Sequence, residues 1–349
     1  MSLDANRSAY VLSPYRFEVR DNPDGDPGPG HLLVRVSACG VCGTDLHIAD
    51  RLANDWQPFG HEAAGTVLRV GAGVDRFEPG DRVALDSSAP CGRCDVCLPK
   101  PSGRGRPDLC EHGVSYWGTP TMGFGNLVIA PAECAVHVPE GMPFDVACLV
   151  EPVGVSIDIT WTAEVGPGDD VLIVGPGPLG LGAVAVCRRA GASRVILAGR
   201  SHSVARMKSG EALGADELIY TDCTALESCD FGKRKPNKIL VTAPPENLPA
   251  AIKLAPFGGV VAYIGIAYGP GSVISFDADD FHFRKLSLRA SHAAPATHAQ
   301  ESIRLLQTMP ELGRELVSHR FGLEEIGSAM MLARDDRQHV KKMVMVNGA

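Results

Sequence analysis

The sequence has 349 residues, 45% of them hydrophobic and 21% charged, which is ordinary for a globular protein and too long for a single small core, so two domains are expected. The formal net charge is -8, and without a basic surplus neither a nucleic acid nor a membrane surface is an expected partner. The opening residues, Met1 to Asn6, lack the charged-then-apolar pattern of an export signal, and no apolar run approaches the roughly 20 residues that span a bilayer; the expected compartment is the cytoplasm. Of the 11 cysteines, Cys91, Cys94, Cys97 and Cys110 crowd into one loop, and in a reducing compartment such a cluster reads as a metal site before it reads as disulfides.

In chain order, the first part, to about residue 155, is rich in Gly, Pro and short β-branched runs such as Leu32 to Val36 and Gly65 to Val70. That texture predicts a partly open β-barrel with long functional loops. From residue 171 it changes. The apolar strand Val171 to Val174 leads through glycines into a helix from Leu179 to Ala190, then a strand from Val195 to Ala198 and a helix from about Ser203 to Leu213. The alternation continues through Ile239 to Thr242 and Val260 to Ile264, the pattern of a doubly wound parallel sheet. Two amphipathic helical patterns, Glu301 to Met309 and Leu323 to Ala333, and a last strand from Lys342 to Val346 are expected to return to the first domain. The boundaries are therefore 1–155 with 291–349 for the first domain and 156–290 for the nucleotide-binding one. The segment 98–107, rich in Pro, Gly and Arg, reads as a loop.

Gly175-Pro176-Gly177-Pro178-Leu179-Gly180 fits G-x-G-x-x-G. Alone the motif is weak. Between a buried strand and a helix, its first glycine permits a tight turn, the second lets the backbone approach a pyrophosphate, and the third lets helix meet strand, with the helix N-terminus facing the phosphates. The end of the second strand is Gly199-Arg200-Ser201, where an NAD-binding chain usually presents a carboxylate to the ribose. The missing carboxylate and the added arginine point to NADP, with NAD as the alternative if Arg200 merely stacks on adenine. Thr242, Gly265 and Ile266, at later strand ends, complete the candidate cofactor contacts.

Cys91, Cys94, Cys97 and Cys110 supply four soft ligands, enough to close a tetrahedral zinc shell, which marks a structural site. A second set, Cys42, His61 and Glu151, offers one thiolate, one imidazole and one carboxylate and leaves a fourth place for water or substrate, the composition of a catalytic zinc. Each has a plainer reading, as a small apolar thiol, a hydrogen-bonded core histidine and a surface carboxylate, and spacing alone does not decide between them.

The run from Gly60-His61-Glu62 to Val74, followed by Pro79-Gly80-Asp81-Arg82-Val83, resembles the zinc signature of the medium-chain dehydrogenase/reductase family. So do Cys42-Gly43-Thr44-Asp45-Leu46-His47, the four-cysteine loop, the glycine motif and Ser318-His319-Arg320-Phe321. The resemblance spans nearly the whole chain. It implies an α/β fold made of a GroES-like barrel plus a Rossmann sheet, with the active site in the cleft between them, and two zinc ions per subunit. It also assigns roles by position: Cys42 and His61 as catalytic zinc ligands with Glu151 third, and Glu62 beside the metal as a support or an alternate ligand. Asp45 would orient His61, and Thr44 and His47 would relay the alcohol proton. The Cys97 to Cys110 interval is longer than usual in the family, and the extra residues read as an insertion.

The expected activity is hydride exchange between NAD(P) and an alcohol or carbonyl carbon, with zinc as Lewis acid. Glu151, at a position where simple-alcohol members often carry cysteine, resembles the sorbitol, glucose and threonine dehydrogenase branches, so a polyol, sugar, cyclitol or amino alcohol is the expected substrate and a homodimer or homotetramer the expected assembly. Trp117 is a candidate pocket residue. Two rival readings fit less well. A zinc deaminase fits Pro90-Cys91-Gly92-Arg93-Cys94 but lacks the accompanying His-x-Glu, and a non-catalytic zinc-binding structural protein would not need Cys42, His61, Glu151, Thr44 and the glycine motif together.

Overall fold

The computed structural model describes residues 6–23, 25–100, 103 and 105–348. Pro101, Ser102 and Arg104, within the loop expected over 98–107, lie outside the described residues. The chain divides into two compact units, one made of Met1–Gly154, Ala293–Asp336 and Lys342–Ala349, the other of Val155–His292 and Arg337–Lys341.

The first unit is built on a seven-stranded sheet in the order Ala135–His137, Arg82–Leu85, Glu62–Val70, His31–Gly40, Lys342–Val346 and Val317–Phe321, with Leu127–Pro131 also pairing to His31–Gly40. The central strand His31–Gly40 carries Leu32, Leu33, Val34 and Val36 into the core. Register shifts between Leu33 and Val34 and between Val36 and Ala38 are bulges that bend a strand and let its sheet curl. A smaller sheet of Arg16–Asp21, Arg7–Leu12 and Gln57–Pro58 adjoins in sequence. The C-terminal strand lies beside the central one, Val344 opposite Gly40, while Glu62 faces the same Gly40 from the other side. Three distant stretches of sequence thus meet across one glycine.

The second unit is a six-stranded sheet, all of whose pairs are parallel, in the order Glu217–Tyr220, Arg194–Gly199, Asp170–Val174, Lys238–Val241, Val260–Tyr263 and Ser287–Ala290. The chain starts at Asp170–Val174, winds outward to one edge, then returns to start the other half at Lys238–Val241. The strand order reverses between those two strands, and open parallel sheets bind their ligands at such a point. Asp170–Val174 is buried along its whole length, as a strand covered on both faces must be.

The Glu217–Tyr220 and Ser287–Ala290 strands escaped the sequence reading. Both lie at the sheet's edges, where half-exposed residues break the apolar runs by which the inner strands are recognised. The helices run close to expectation: Pro178–Arg189, Val204–Ala212, Ala299–Thr308 and Ile326–Asp335. Residues Arg337–Lys341, assigned from sequence to the first domain, group with the second unit because they bond to the Val204–Ala212 helix. Ala205 N–H donates to Gln338 O at 3.2 Å, Arg206 Nε to Val340 O at 2.8 Å and Lys341 Nζ to Ser209 Oγ at 2.8 Å.

Leu172 is fully buried in the cluster that also holds Ile196, Ile239, Val241 and Val261. Leu172→Ala is expected to cost about 2–5 kcal/mol through lost burial and the cavity left behind. Denaturant unfolding would register this as a lower midpoint, and an unchanged midpoint would contradict the packing described.

Candidate active site and metal centres

The four thiols of the loop form a near-tetrahedron. Their sulfurs stand 3.5 Å apart for Cys94 and Cys97, 3.6 Å for Cys91 and Cys110, 3.8 Å for Cys94 and Cys110, and 3.9 Å for Cys91 and Cys97. A tetrahedral zinc with Zn–S of about 2.3 Å places its sulfurs about 3.8 Å apart, so the set fits zinc. The separations are far too long for disulfides, in which S–S is about 2 Å. Backbone N–H groups of Arg93 and Cys94 pull Cys91 down to about 6, while burial and the neighbouring thiols push Cys97 up to about 12. A cation bound among the four sulfurs would stabilise them as thiolates.

The second constellation gathers on the strands around Gly40. Cys42 precedes the short helix Gly43–His47, and its N–H donates to Asp45 Oδ2 at 2.8 Å. The other Asp45 oxygen lies 3.6 Å from His61 Nδ1, so one buried carboxylate fixes the backbone of Cys42 and faces the ring of His61. Glu151, in the first turn of the helix Val150–Thr162, sits 3.8 Å from His61 Nε2. A Cys42, His61 and Glu62 ligand atom all lie within 4.8 Å of one another. The donors fit a zinc ion, a thiolate, an imidazole and a carboxylate converging with Asp45 Oδ1 and His61 Nδ1 left without hydrogen bonds. Glu62 is also engaged elsewhere: the ammonium of Lys342 donates to its Oε1 at 2.6 Å and its Oε2 at 2.8 Å, and to Val41 O at 2.9 Å.

The electrostatics of this pocket are those of a site short of positive charge. Burial pushes the Glu151 carboxyl up to about 7, only partly offset by His61. Asp86, a buried carboxyl close to both, is raised well above the carboxylate range by burial and by Glu151. Burial works against a protonated His61, yet Cys42 and Asp45 outweigh it and raise its pKa. The loop that begins at Tyr116 supports the histidine. Tyr116, fully buried, donates its hydroxyl to His61 O at 2.6 Å, and the Trp117 ring lies over the imidazole with centroids 4.7 Å apart while remaining 41% exposed. Thr44 and His47 are half-buried three positions apart on the helix Gly43–His47, a spacing that puts them on one face.

In the second unit, Gly175 turns the chain at φ +112° after the first strand, and the Thr242 hydroxyl from the neighbouring strand end donates to Gly175 O at 2.9 Å. A Cβ on Gly180 would stand 1.9 Å from Gly175 O, whereas one on Gly177 would meet nothing within 4 Å. Pro178 opens the helix and Leu179 follows in its first turn. Gly265 comes equally close to a backbone, its Cβ position 1.9 Å from Ala243 O, and Ile266 beside it is exposed. At the end of the second strand Gly199 is buried and Arg200 exposed. The Ser201 N–H and hydroxyl both donate to Asp222, at 2.9 and 2.7 Å.

Residues 28–140 match the alcohol dehydrogenase GroES-like domain and residues 178–308 the zinc-binding dehydrogenase domain. The chain is 30% identical to a sorbitol dehydrogenase of Arabidopsis thaliana over 283 residues, 76% of this chain and 75% of that one. It belongs to the zinc-dependent medium-chain dehydrogenase family. An L-threonine 3-dehydrogenase of Pyrococcus abyssi is 38% identical over 204 residues, and the match spans only 55% of each chain. An Escherichia coli alcohol dehydrogenase solved with NADH superposes with a TM-score of 0.86 at 27% identity, over 98% of this chain and 99% of that one. The GroES-like and Rossmann architecture follows from these matches and from the parallel sheet.

Three functional candidates in this family member escaped the sequence reading. Lys342 opens an apolar strand and looks like its solvent-exposed end. Asp86 and Asp222 are single carboxylates outside any motif. Only the tertiary fold brings them to Glu62, Glu151 and Ser201. The two glycines separate packing from binding. Gly180→Ala is expected to lower the unfolding temperature, because its Cβ strikes a backbone oxygen. If the open space at Gly177 is where a pyrophosphate approaches, Gly177→Ala keeps native stability but weakens dinucleotide binding about tenfold or more. Thermal unfolding and fluorescence titration with NADH and NADPH check both, and equal effects from the two substitutions would contradict the assignment.

Proposed function

We propose that the chain is a zinc-dependent dehydrogenase that moves a hydride between a nicotinamide dinucleotide and a hydroxyl-bearing or carbonyl carbon of a small polyol, sugar, cyclitol or amino alcohol. The observation that carries this reading is the contrast between two donor sets in one unit, four thiols that close a shell and Cys42, His61 and Glu151, which leave one place over. Zinc bound by the open set supplies a Lewis acid for the substrate oxygen. The chain's own residues do the rest. Asp45 holds the Cys42 backbone and orients His61, Trp117 covers the imidazole and walls the pocket, and Thr44 with His47 carries the alcohol proton away. The named activities of the sorbitol and threonine dehydrogenase relatives support a secondary alcohol flanked by another hydroxyl or an amine.

The edge strand Ser287–Ala290 and the exposed Phe257, Val273 and Phe283 in the second unit support a homo-oligomer, since an edge strand presents unpaired backbone groups to a second copy. No helix among the described residues is long and apolar enough to cross a membrane.

An oxidation and reduction screen over polyols, cyclitols, aldoses and threonine with both dinucleotides tests the activity. The native protein is expected to hold two zinc ions per chain. Cys42→Ser should lose one of them together with turnover while keeping the fold, whereas Cys94→Ser should lower stability, because a structural zinc contributes directly to folding. Turnover undiminished in Cys42→Ser would refute the reading.

For the cofactor, the guanidinium of Arg200 supports NADP(H). A charge-assisted bond to a 2'-phosphate is worth about 1.5–3 kcal/mol, or about ten- to a hundredfold in affinity. Asp222 opposes it, because its carboxylate occupies the Ser201 donors that a phosphate would use. Arg200→Ala is expected to weaken NADPH much more than NADH, and Asp222→Asn to strengthen NADPH selectively. The ratio of kcat/KM for the two dinucleotides checks this, and a ratio moved by neither substitution removes both residues from the selection.

A further inference from the structure

We propose that Lys342 is a positioning residue that withholds Glu62 from the metal, so that Glu151 serves as the third ligand and the fourth place stays open to substrate. The proposal rests on the reading of Cys42, His61 and Glu151 as the open metal set.

Glu62 is within reach of that set, since its oxygen lies within 4.8 Å of both Cys42 Sγ and a ring nitrogen of His61. A metal there with Cys42, His61, Glu151 and Glu62 would have four protein ligands, the closed shell of a structural site. Lys342 prevents this by geometry and charge. Its ammonium has three protons, and they go to Glu62 Oε1, Glu62 Oε2 and Val41 O at 2.6, 2.8 and 2.9 Å. Both oxygens of the carboxylate are therefore held toward the lysine, and its charge is balanced there. The lysine side chain is 2% exposed and the glutamate 0%, so no water competes for either partner, and a buried pair of this kind is costly to break from one side.

The fold provides the path for this contact. Glu62 and Val344 both stand opposite Gly40, and a Cβ on Gly40 would lie 2.1 Å from Glu62 Oε2. The carboxylate thus crosses above a residue without a side chain to reach the strand that Lys342 begins. Glu151 is placed differently. Among the described residues no lysine or arginine pairs with it, and its ion-pair contact is His61 Nε2 at 3.8 Å. Of the two glutamates, one is neutralised by the protein and the other is left for a cation.

The test uses the zinc-loaded protein with Lys342→Met, following zinc release from the open set to a chromogenic chelator, and azide binding to the Co2+-substituted protein by its visible absorption. Cys42→Ser, which retains only the four-cysteine metal, identifies the signal. If Lys342 restrains Glu62, its loss lets Glu62 join the metal: release slows on the order of tenfold or more, and azide no longer perturbs the Co2+ spectrum. The double variant Lys342→Met with Glu62→Gln is expected to regain the native release rate and azide response. A lysine that only supports the fold would give unchanged or faster release, and that result overturns the proposal. Should Lys342→Met fail to fold, a crystal structure of the native zinc protein decides: Glu62 still on Lys342 upholds the proposal, and Glu62 on the metal overturns it. Native protein that holds zinc only at the four cysteines would instead sink the metal-site reading beneath it.

Discussion

Five groups that tend toward negative charge, Cys42, Asp45, Glu62, Asp86 and Glu151, are packed in or against the interior of the first unit. Among the described residues Lys342 is the only lysine or arginine paired with any of the four carboxylates. A buried carboxylate without a partner is expensive, and burial accordingly raises the pKa of both Glu151 and Asp86. A divalent cation relieves the same deficit without protons. Cys42 just before the short helix Gly43–His47, His61 just before the strand Glu62–Val70, and the loop of Tyr116 and Trp117 all border these carboxylates.

The four-cysteine loop solves a related problem in a different way. Its sulfurs are already close to tetrahedral, and the donors are all of one kind, so a metal there has no place left for a substrate. The open set mixes a thiolate, an imidazole and carboxylates that answer to different neighbours. The first set is uniform in its donors, and the second divides its carboxylates, with Glu62 on Lys342 and Glu151 facing His61.

In the second unit the governing constraint is steric. Strand and helix can meet at the reversal of strand order only if Gly180 brings no side chain against Gly175 O, and the Thr242 hydroxyl ties the two central strand ends together there. The neighbouring Gly177 has space around it that no protein atom fills. Near the outer strand ends the exposed Arg200 precedes Ser201, whose N–H and hydroxyl are both given to Asp222.

Much of this was legible in the sequence because it is local. Strand, glycine turn and helix follow one another within twenty residues of Val171, and the four cysteines lie within one loop, so periodicity and spacing suffice to read them. The metal-binding types at Cys42, His61 and Glu151 were readable as types, but their convergence came only through resemblance to a family. The sequence offered no sign that Lys342 belongs with Glu62, 280 positions away, or Asp222 with Ser201. A lysine at the head of an apolar strand has the same local pattern whether it faces water or a carboxylate. That choice was made by the sheet, which lays the last strand beside Gly40 and brings the lysine's ammonium to Val41 O and the two oxygens of Glu62.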